Sequence, residues 1–139
     1  MRICIINGPN LNLTGKREPE TYGIVSFDEF IPALQQEFPQ VEIEYFQSNI
    51  EGELINRIQE AEFVCDGIVL NAGGYSHSSI AIGDAVKSVK VPVVEVHMSN
   101  IWRREEFRHR SYISGAARGV IAGFGLGSYR LALISLMYQ

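Results

Sequence analysis

The sequence predicts an α/β fold, a five-stranded parallel sheet with helices on both faces, and three observations lead there. Strand-like and helix-like segments alternate along the whole chain, each apolar strand run is closed by a turn signal, and the helical segments carry apolar residues at the 3.6-residue period. The length of 139 residues, with 46% hydrophobic and 20% charged residues, suits one catalytic domain spanning 1–139. A formal charge of −4 argues against nucleic acid and points to small molecules or copies of the same chain as partners.

The first strand is Ile3 to Asn7, closed by Gly8-Pro9; its apolar run is too short for a signal peptide or a membrane span, which makes the cytoplasm the expected location. The first helix opens at Ser26, where Ser26-Phe27-Asp28-Glu29 has the form of a capping box and Phe27, Phe30, Ile31, Leu34 and Phe38 make an apolar stripe. Pro32 lies inside it and predicts a kink or a later start, because proline removes one backbone bond. Strand two is Val41 to Phe46. A second capping box, Ser48-Asn49-Ile50-Glu51, opens helix two, whose buried face is Leu54, Ile55, Ile58 and Ala61. Strand three is Gly67 to Asn71, Gly73-Gly74 breaks the chain, and helix three covers roughly Ser78 to Val89. Strand four is Val93 to His97 and strand five Gly119 to Ala122; Gly123 to Gly127 leads into a last helix ending near Tyr138. Five βα units of this kind read most simply as a flavodoxin-like, doubly wound, three-layer sheet. Cys4 and Cys65 sit in apolar runs without metal-ligand spacing and are expected to be buried free thiols.

Ligands of such sheets bind beyond the carboxyl ends of the strands, where strand order reverses. Those positions hold Asn7-Gly8-Pro9-Asn10, Asn71 to His77, and Glu95 to Asn100. Each asparagine alone reads as a turn residue and His77 as a helix-cap neighbour, but three such strand ends together read as a site. Glu95 and His97 are two apart on a strand and share a face, so the carboxylate can orient the imidazole or keep it protonated, as suits a general acid. Spacing supports no metal site, and no glycine fingerprint for a dinucleotide follows strand one; no cofactor is expected. The basic stretch Trp102 to Arg110 is either a solvated helix start with Glu106 to Arg110 as an ion pair, or an anion clamp completed by Ser99. On the loop after strand one, Arg17 and Tyr22 lie between Gly15 and Gly23. A phenol with a pKa of about 10 becomes a useful base only beside a fixed cation, which Arg17 can supply; the plainer alternative is a solvated arginine and a packed tyrosine.

These motifs in this order, Asn7-Gly8-Pro9-Asn10-Leu11-Asn12-Leu13, Arg17-Glu18-Pro19, Tyr22-Gly23, Asn71 to His77, Glu95-Val96-His97, Ser99-Asn100 and Arg104 to Arg108, resemble type II 3-dehydroquinate dehydratase over essentially the whole chain. The resemblance implies loss of water from 3-dehydroquinate to give 3-dehydroshikimate, the third step of the shikimate pathway, without a Schiff base. It implies Tyr22 as the base, Arg17 as the group that keeps it ionised, His97 as the acid, Asn10 as holder of an enolate-stabilising partner, and Glu95 as the orienter of a histidine. Asn71, His77, Met98, Ser99 and Arg108 are implied as substrate-binding, with the choice of Arg108 over Arg104 resting on the resemblance alone. Asp84 is implied to reach a neighbouring subunit's site in a homododecamer built as a tetramer of trimers. Thr14, Lys16, Ile24-Val25 and Trp102 depart from the usual pattern and carry no expected chemistry. The loop of Arg17 and Tyr22 reads as a lid. A phosphorylatable receiver, the competing reading, needs acidic residues after strand one and an aspartate after strand three, where this chain has Asn7 and Asn71. A flavin-binding module needs a hydroxyl-rich phosphate loop after strand one, and Pro9-Asn10-Leu11 is not one.

Overall fold

A computed structural model describes residues 1–16, 20 and 24–138. Five parallel strands, β1 (Arg2–Asn7), β2 (Glu42–Gln47), β3 (Gly67–Asn71), β4 (Val93–His97) and β5 (Gly119–Ala122), pair in the order β2-β1-β3-β4-β5. Strand order therefore reverses between β1 and β3, where Asn7 and Asn71 stand opposite each other in register. The α-helices among the described residues are α1 (Phe27–Glu37), α2 (Glu51–Val64), α3 (Ile80–Ser88) and α4 (Gly127–Met137).

Alternation along the strands divides the core in two. Ile3, Ile5, Val69, Val94 and Val96 face α1 and α4, whereas Cys4, Ile6, Ile68, Leu70 and Val93 face α2 and α3. Near-continuous apolar strands are what a sheet covered on both faces requires. Leu34, Leu54, Ile58 and Leu133 are fully buried on the covering helices, each worth about 1.5–3 kcal/mol relative to exposure. The stripes expected on the first two helices hold, with Ile55 only half-buried.

Several local expectations change. Helix α1 starts at Phe27 despite Pro32, because tertiary burial of Phe27, Phe30 and Ile31 holds its first turn. Ser26 is its N-cap by backbone geometry but makes no side-chain capping bond. The second box is not formed either: Ile50 is the N-cap of α2, and Ser48 accepts from Ile50 N at 3.0 Å while donating to Glu53 at 2.5 Å. Glu51 accepts instead from Ser79 at 2.5 Å, tying α2 to the start of α3. Ser79 itself caps α3, accepting from Ile82 N at 2.9 Å. Between β4 and β5 the chain makes two 3₁₀ turns, Ile101–Arg103 and Glu106–His109, where a fourth crossover helix would stand. Only Ile101 and Ile113 are buried hydrophobics between Asn100 and Gly119, too few for the stripe that a packed helix needs. In place of the expected Glu106–Arg110 pair, Glu105 pairs there with Arg108 at 3.3 Å and Arg104 at 3.8 Å. Both cysteines are free and buried, as expected. Among the described residues no helix is long and apolar enough to cross a membrane.

Candidate active site

A cleft opens at the carboxyl ends of β1, β3 and β4, beside the switch point. Its first wall is the turn after β1. Gly8 N donates to Asn71 O at 2.7 Å, and a Cβ on Gly8 would lie 2.4 Å from the Ala72 carbonyl, so only glycine lets the two strand ends approach this closely. Asn10 follows with φ of 70°, a left-handed conformation that asparagine tolerates better than most side chains. Its backbone donates to Asn49 Oδ1 at 3.0 Å, and the 3₁₀ turn Leu11–Leu13 is anchored by buried Leu11. Thr14 is buried and also lines the cleft, a place its sequence context did not predict.

The second wall comes from β3. Asn71 ends the strand, and the 3₁₀ turn Gly73–His77 carries His77 over the cleft. His77 Nδ1 meets the Arg110 carbonyl at 2.6 Å; a carbonyl only accepts, so Nδ1 carries the proton and Nε2 is left for a ligand. Partial burial pushes the His77 pKa down, the nearby His97 and Arg108 add to this, and the Arg110 carbonyl opposes it. His77 therefore favours its neutral form.

The floor is the end of β4. Glu95 is fully buried and takes His97 Nε2 at 2.5 Å on one carboxylate oxygen. Ser111 Oγ donates to the other oxygen at 2.9 Å, and Ser114 Oγ approaches both, at 2.9 and 3.1 Å. A buried carboxylate needs this many donors. The histidine that Glu95 orients is thus His97, whose ring stacks on His77 with centroids 5.7 Å apart. The segment Arg110 to Ser114 serves both rings, holding His77 through a carbonyl and His97 through Glu95. It is seated on α3, where a Cβ on Gly83 would meet Tyr112 O at 2.4 Å. Sequence reasoning missed Ser111 and Ser114. Their signal, two hydroxyls three apart, is too common to point at a glutamate 16 residues away.

Positive charge closes the cleft. Arg108 lies over the Phe107 ring at 4.8 Å and pairs with Glu105, and Arg104 Nη1 donates to Ser99 Oγ at 3.3 Å. Backbone hydrogen bonding first, then Arg108, holds the Glu105 carboxyl below its ordinary value. Both arginines line the cleft, so geometry adds Arg104 to the clamp for which the resemblance implied Arg108. Asn10, Asn71, His77, His97, Met98, Ser99 and Arg108 are brought together, with Glu95 directly behind His97. Asp84 is not: it is exposed on α3, in a separate surface depression with Ile80, Lys87 and Tyr112. Arg17, Tyr22 and the lid reading lie outside the described residues.

One cluster joins residues that spacing kept apart. The ligand atoms of Cys4, Glu44 and Cys65 lie within 4.8 Å of one another, away from the cleft lining. Arg57 is bonded to Glu44, and burial pushes the Cys4 thiol up to about 12.

Two imidazoles, a buried carboxylate and two guanidinium groups at the switch point of a doubly wound sheet define an α/β enzyme built for acid–base work on a small anion. A family model described as dehydroquinase class II matches residues 1–137. The 3-dehydroquinate dehydratase of Aliarcobacter butzleri is 51% identical over 99% of this chain and 85% of its own, and that of Gloeothece citriformis 51% identical over 97% and 90%. The crystal structure of a type II dehydroquinase from Butyrivibrio crossotus superposes with a TM-score of 0.95 at 44% identity, covering 99% of this chain and 97% of its own. The chain belongs to the class II dehydroquinase family and is a hydro-lyase.

Proposed function

We propose that the cleft removes water from 3-dehydroquinate, giving 3-dehydroshikimate by an enolate-type anti elimination in the shikimate pathway. The observation that carries this reading is the Glu95–His97 pair on the floor of a cationic cleft, in a chain matched to the family from residue 1 to 137. Tyr22, ionised beside Arg17, takes the proton from the carbon next to the ketone, and the electron pair moves onto the ketone oxygen. A partner held by Asn10 stabilises that enolate. As the carbonyl reforms, the enolate's electron pair makes the double bond between the deprotonated carbon and its neighbour on the side away from the ketone, and the hydroxyl on that neighbour leaves with a proton from His97 as water. Because Nε2 is committed to Glu95, the donated proton sits on Nδ1; the acid is then an imidazolium with the Glu95 carboxylate as its counter-charge.

Asn71, His77, Ser99 with the Met98 and Ser99 backbone amides, and Arg108 hold the ring hydroxyls and carboxylate, and Arg104 joins them. The residues spanning 1–139 act as one catalytic domain in the cytoplasm. Asp84, exposed on α3, suits a role at a neighbouring subunit's cleft in a homododecamer, a tetramer of trimers.

The test is to add 3-dehydroquinate, without metal or nucleotide, and follow the enone absorbance of the product. Tyr22→Phe keeps the ring and removes the base, so turnover should fall at least about 100-fold with the melting temperature unchanged. Arg17→Ala should lower kcat more than it raises KM. No product from the parent enzyme, or near-normal turnover by Tyr22→Phe, overturns the reading.

A further inference from the structure

At the switch point, Asn7 and Asn71 face each other as the last residues of β1 and β3, and one hydroxyl lies between them. Tyr129, from α4, donates to Asn7 Oδ1 at 2.7 Å and accepts from Asn71 Nδ2 at 2.8 Å. Asn7 and Tyr129 are wholly buried and Asn71 is 4% exposed. A phenol has one proton to give. Since it goes to Asn7, the edge of Asn71 turned to Tyr129 has to be the amide nitrogen. The other end agrees, because Gly73 N donates to Asn71 Oδ1 at 3.1 Å. Turning the Asn71 amide over would set two donors against each other at one end and two acceptors at the other.

Asn71 also lines the cleft, with one N–H and one carbonyl lone pair left after these bonds. The tyrosine ring is wedged edge-on by Phe27 at 5.2 Å and Phe30 at 6.1 Å, so the hydroxyl has little freedom to move. Burial pushes the Tyr129 phenol far above its ordinary range, which keeps it a neutral donor and acceptor. We infer that Tyr129 is a positioning residue for substrate binding: from a helix packed under the sheet, it fixes the orientation of the Asn71 amide, and so where the remaining N–H and the remaining carbonyl lone pair meet the oxygens of a polyhydroxylated acid. The inference rests on the reading of this cleft as the substrate site.

Tyr129→Phe keeps the ring and removes the hydroxyl. Its KM for 3-dehydroquinate should rise about tenfold while kcat stays within about twofold, the pattern of lost uniform binding. In an Asn71→Ala background the same change should add less than about twofold, since the two act through one contact. Tyr45→Phe is the control. Its hydroxyl accepts from Asn7 Nδ2 at 3.2 Å, one step further from Asn71, and its loss should leave KM unchanged even where the melting temperature falls. The Asn71 side-chain amide, followed by nitrogen-15 NMR hydrogen exchange, should be protected in the parent and exposed in Tyr129→Phe. A lowered melting temperature with unchanged KM and unchanged Asn71 protection overturns the inference. Should Tyr129→Phe fail to fold, Asn7→Ala removes the acceptor that orients the hydroxyl and should raise KM in the same direction; an unchanged KM there overturns it equally. A parent enzyme that makes no dehydroshikimate refutes the functional reading, while the exchange measurement still decides whether Tyr129 orients Asn71.

Discussion

His97 and His77 stack in one cleft, and the chain holds them by opposite ring nitrogens. His97 is 6% exposed at the end of a central strand and gives Nε2 to a buried carboxylate that two serine hydroxyls also hold. His77 is half-buried on a 3₁₀ turn and gives Nδ1 to a backbone carbonyl. A carboxylate can share a net charge with its imidazole; a carbonyl beside Arg108 cannot, and it leaves a neutral ring with a lone pair toward the cleft. Proximity alone would make the two rings interchangeable. The partner behind each ring fits the roles proposed above, proton delivery for His97 and binding for His77.

The largest effect should come from breaking that division directly. His97→Asn should lower kcat by roughly 100-fold or more, in the range of general-acid loss, whereas His77→Asn should act mainly on KM. Steady-state kinetics on the two variants decide the matter, and equal losses of kcat would dissolve the distinction. A smaller effect is expected one layer back. Glu95→Gln keeps the shape but removes the counter-charge, and a hydrogen bond to a charged group is worth enough for about a tenfold fall in kcat. Replacing Ser111 and Ser114 together by alanine leaves the buried carboxylate short of donors, and urea unfolding should register a loss of about 1–3 kcal/mol.

The smallest effect concerns pH. The folded-state pKa of His77 lies below its ordinary 6.5, so the unfolded chain binds this proton first as the solution is acidified. Its contribution to stability is therefore complete above 6.5 and is lost as pH falls from there to the folded pKa. Proton NMR of the His77 ring should titrate below 6.5, and His77→Asn should flatten the stability slope in that window. A His77 titration above 6.5 would mean that the ring carries charge in the cleft and would remove the contrast with His97.

Much of this site is legible along the chain because doubly wound sheets place ligands at strand ends, and strand ends are local features. Apolar runs closed by Gly8-Pro9, Gly73-Gly74 and Ser99-Asn100 locate Asn71, His77, Glu95 and His97 without any tertiary information. Less legible are groups whose role depends on chain return. Ser111 and Ser114 matter because the segment after β4 folds back over Glu95, and Tyr129 matters because α4, packed on β3, β4 and β5, carries its hydroxyl to Asn7 and Asn71. Ser26 stands at the helix start its box predicts but makes no capping bond, and Ser48 lies two residues before the Ile50 N-cap, with Ser48 and Glu51 bonded instead to Glu53 and Ser79. A short-range motif competes with every donor that tertiary packing brings near.

Periodicity, turn residues and the order of motifs determined the five strands, the four described helices and the family, because these depend on interactions within a few residues and on the face each residue must bury. Tertiary structure alone decided which histidine Glu95 holds, which edge of Asn71 faces Tyr129, and that Arg104 lines the cleft with Arg108. Hydrogen bonds are directional and reach only about 3 Å, so a donor's partner is chosen by the packed elements that carry it there.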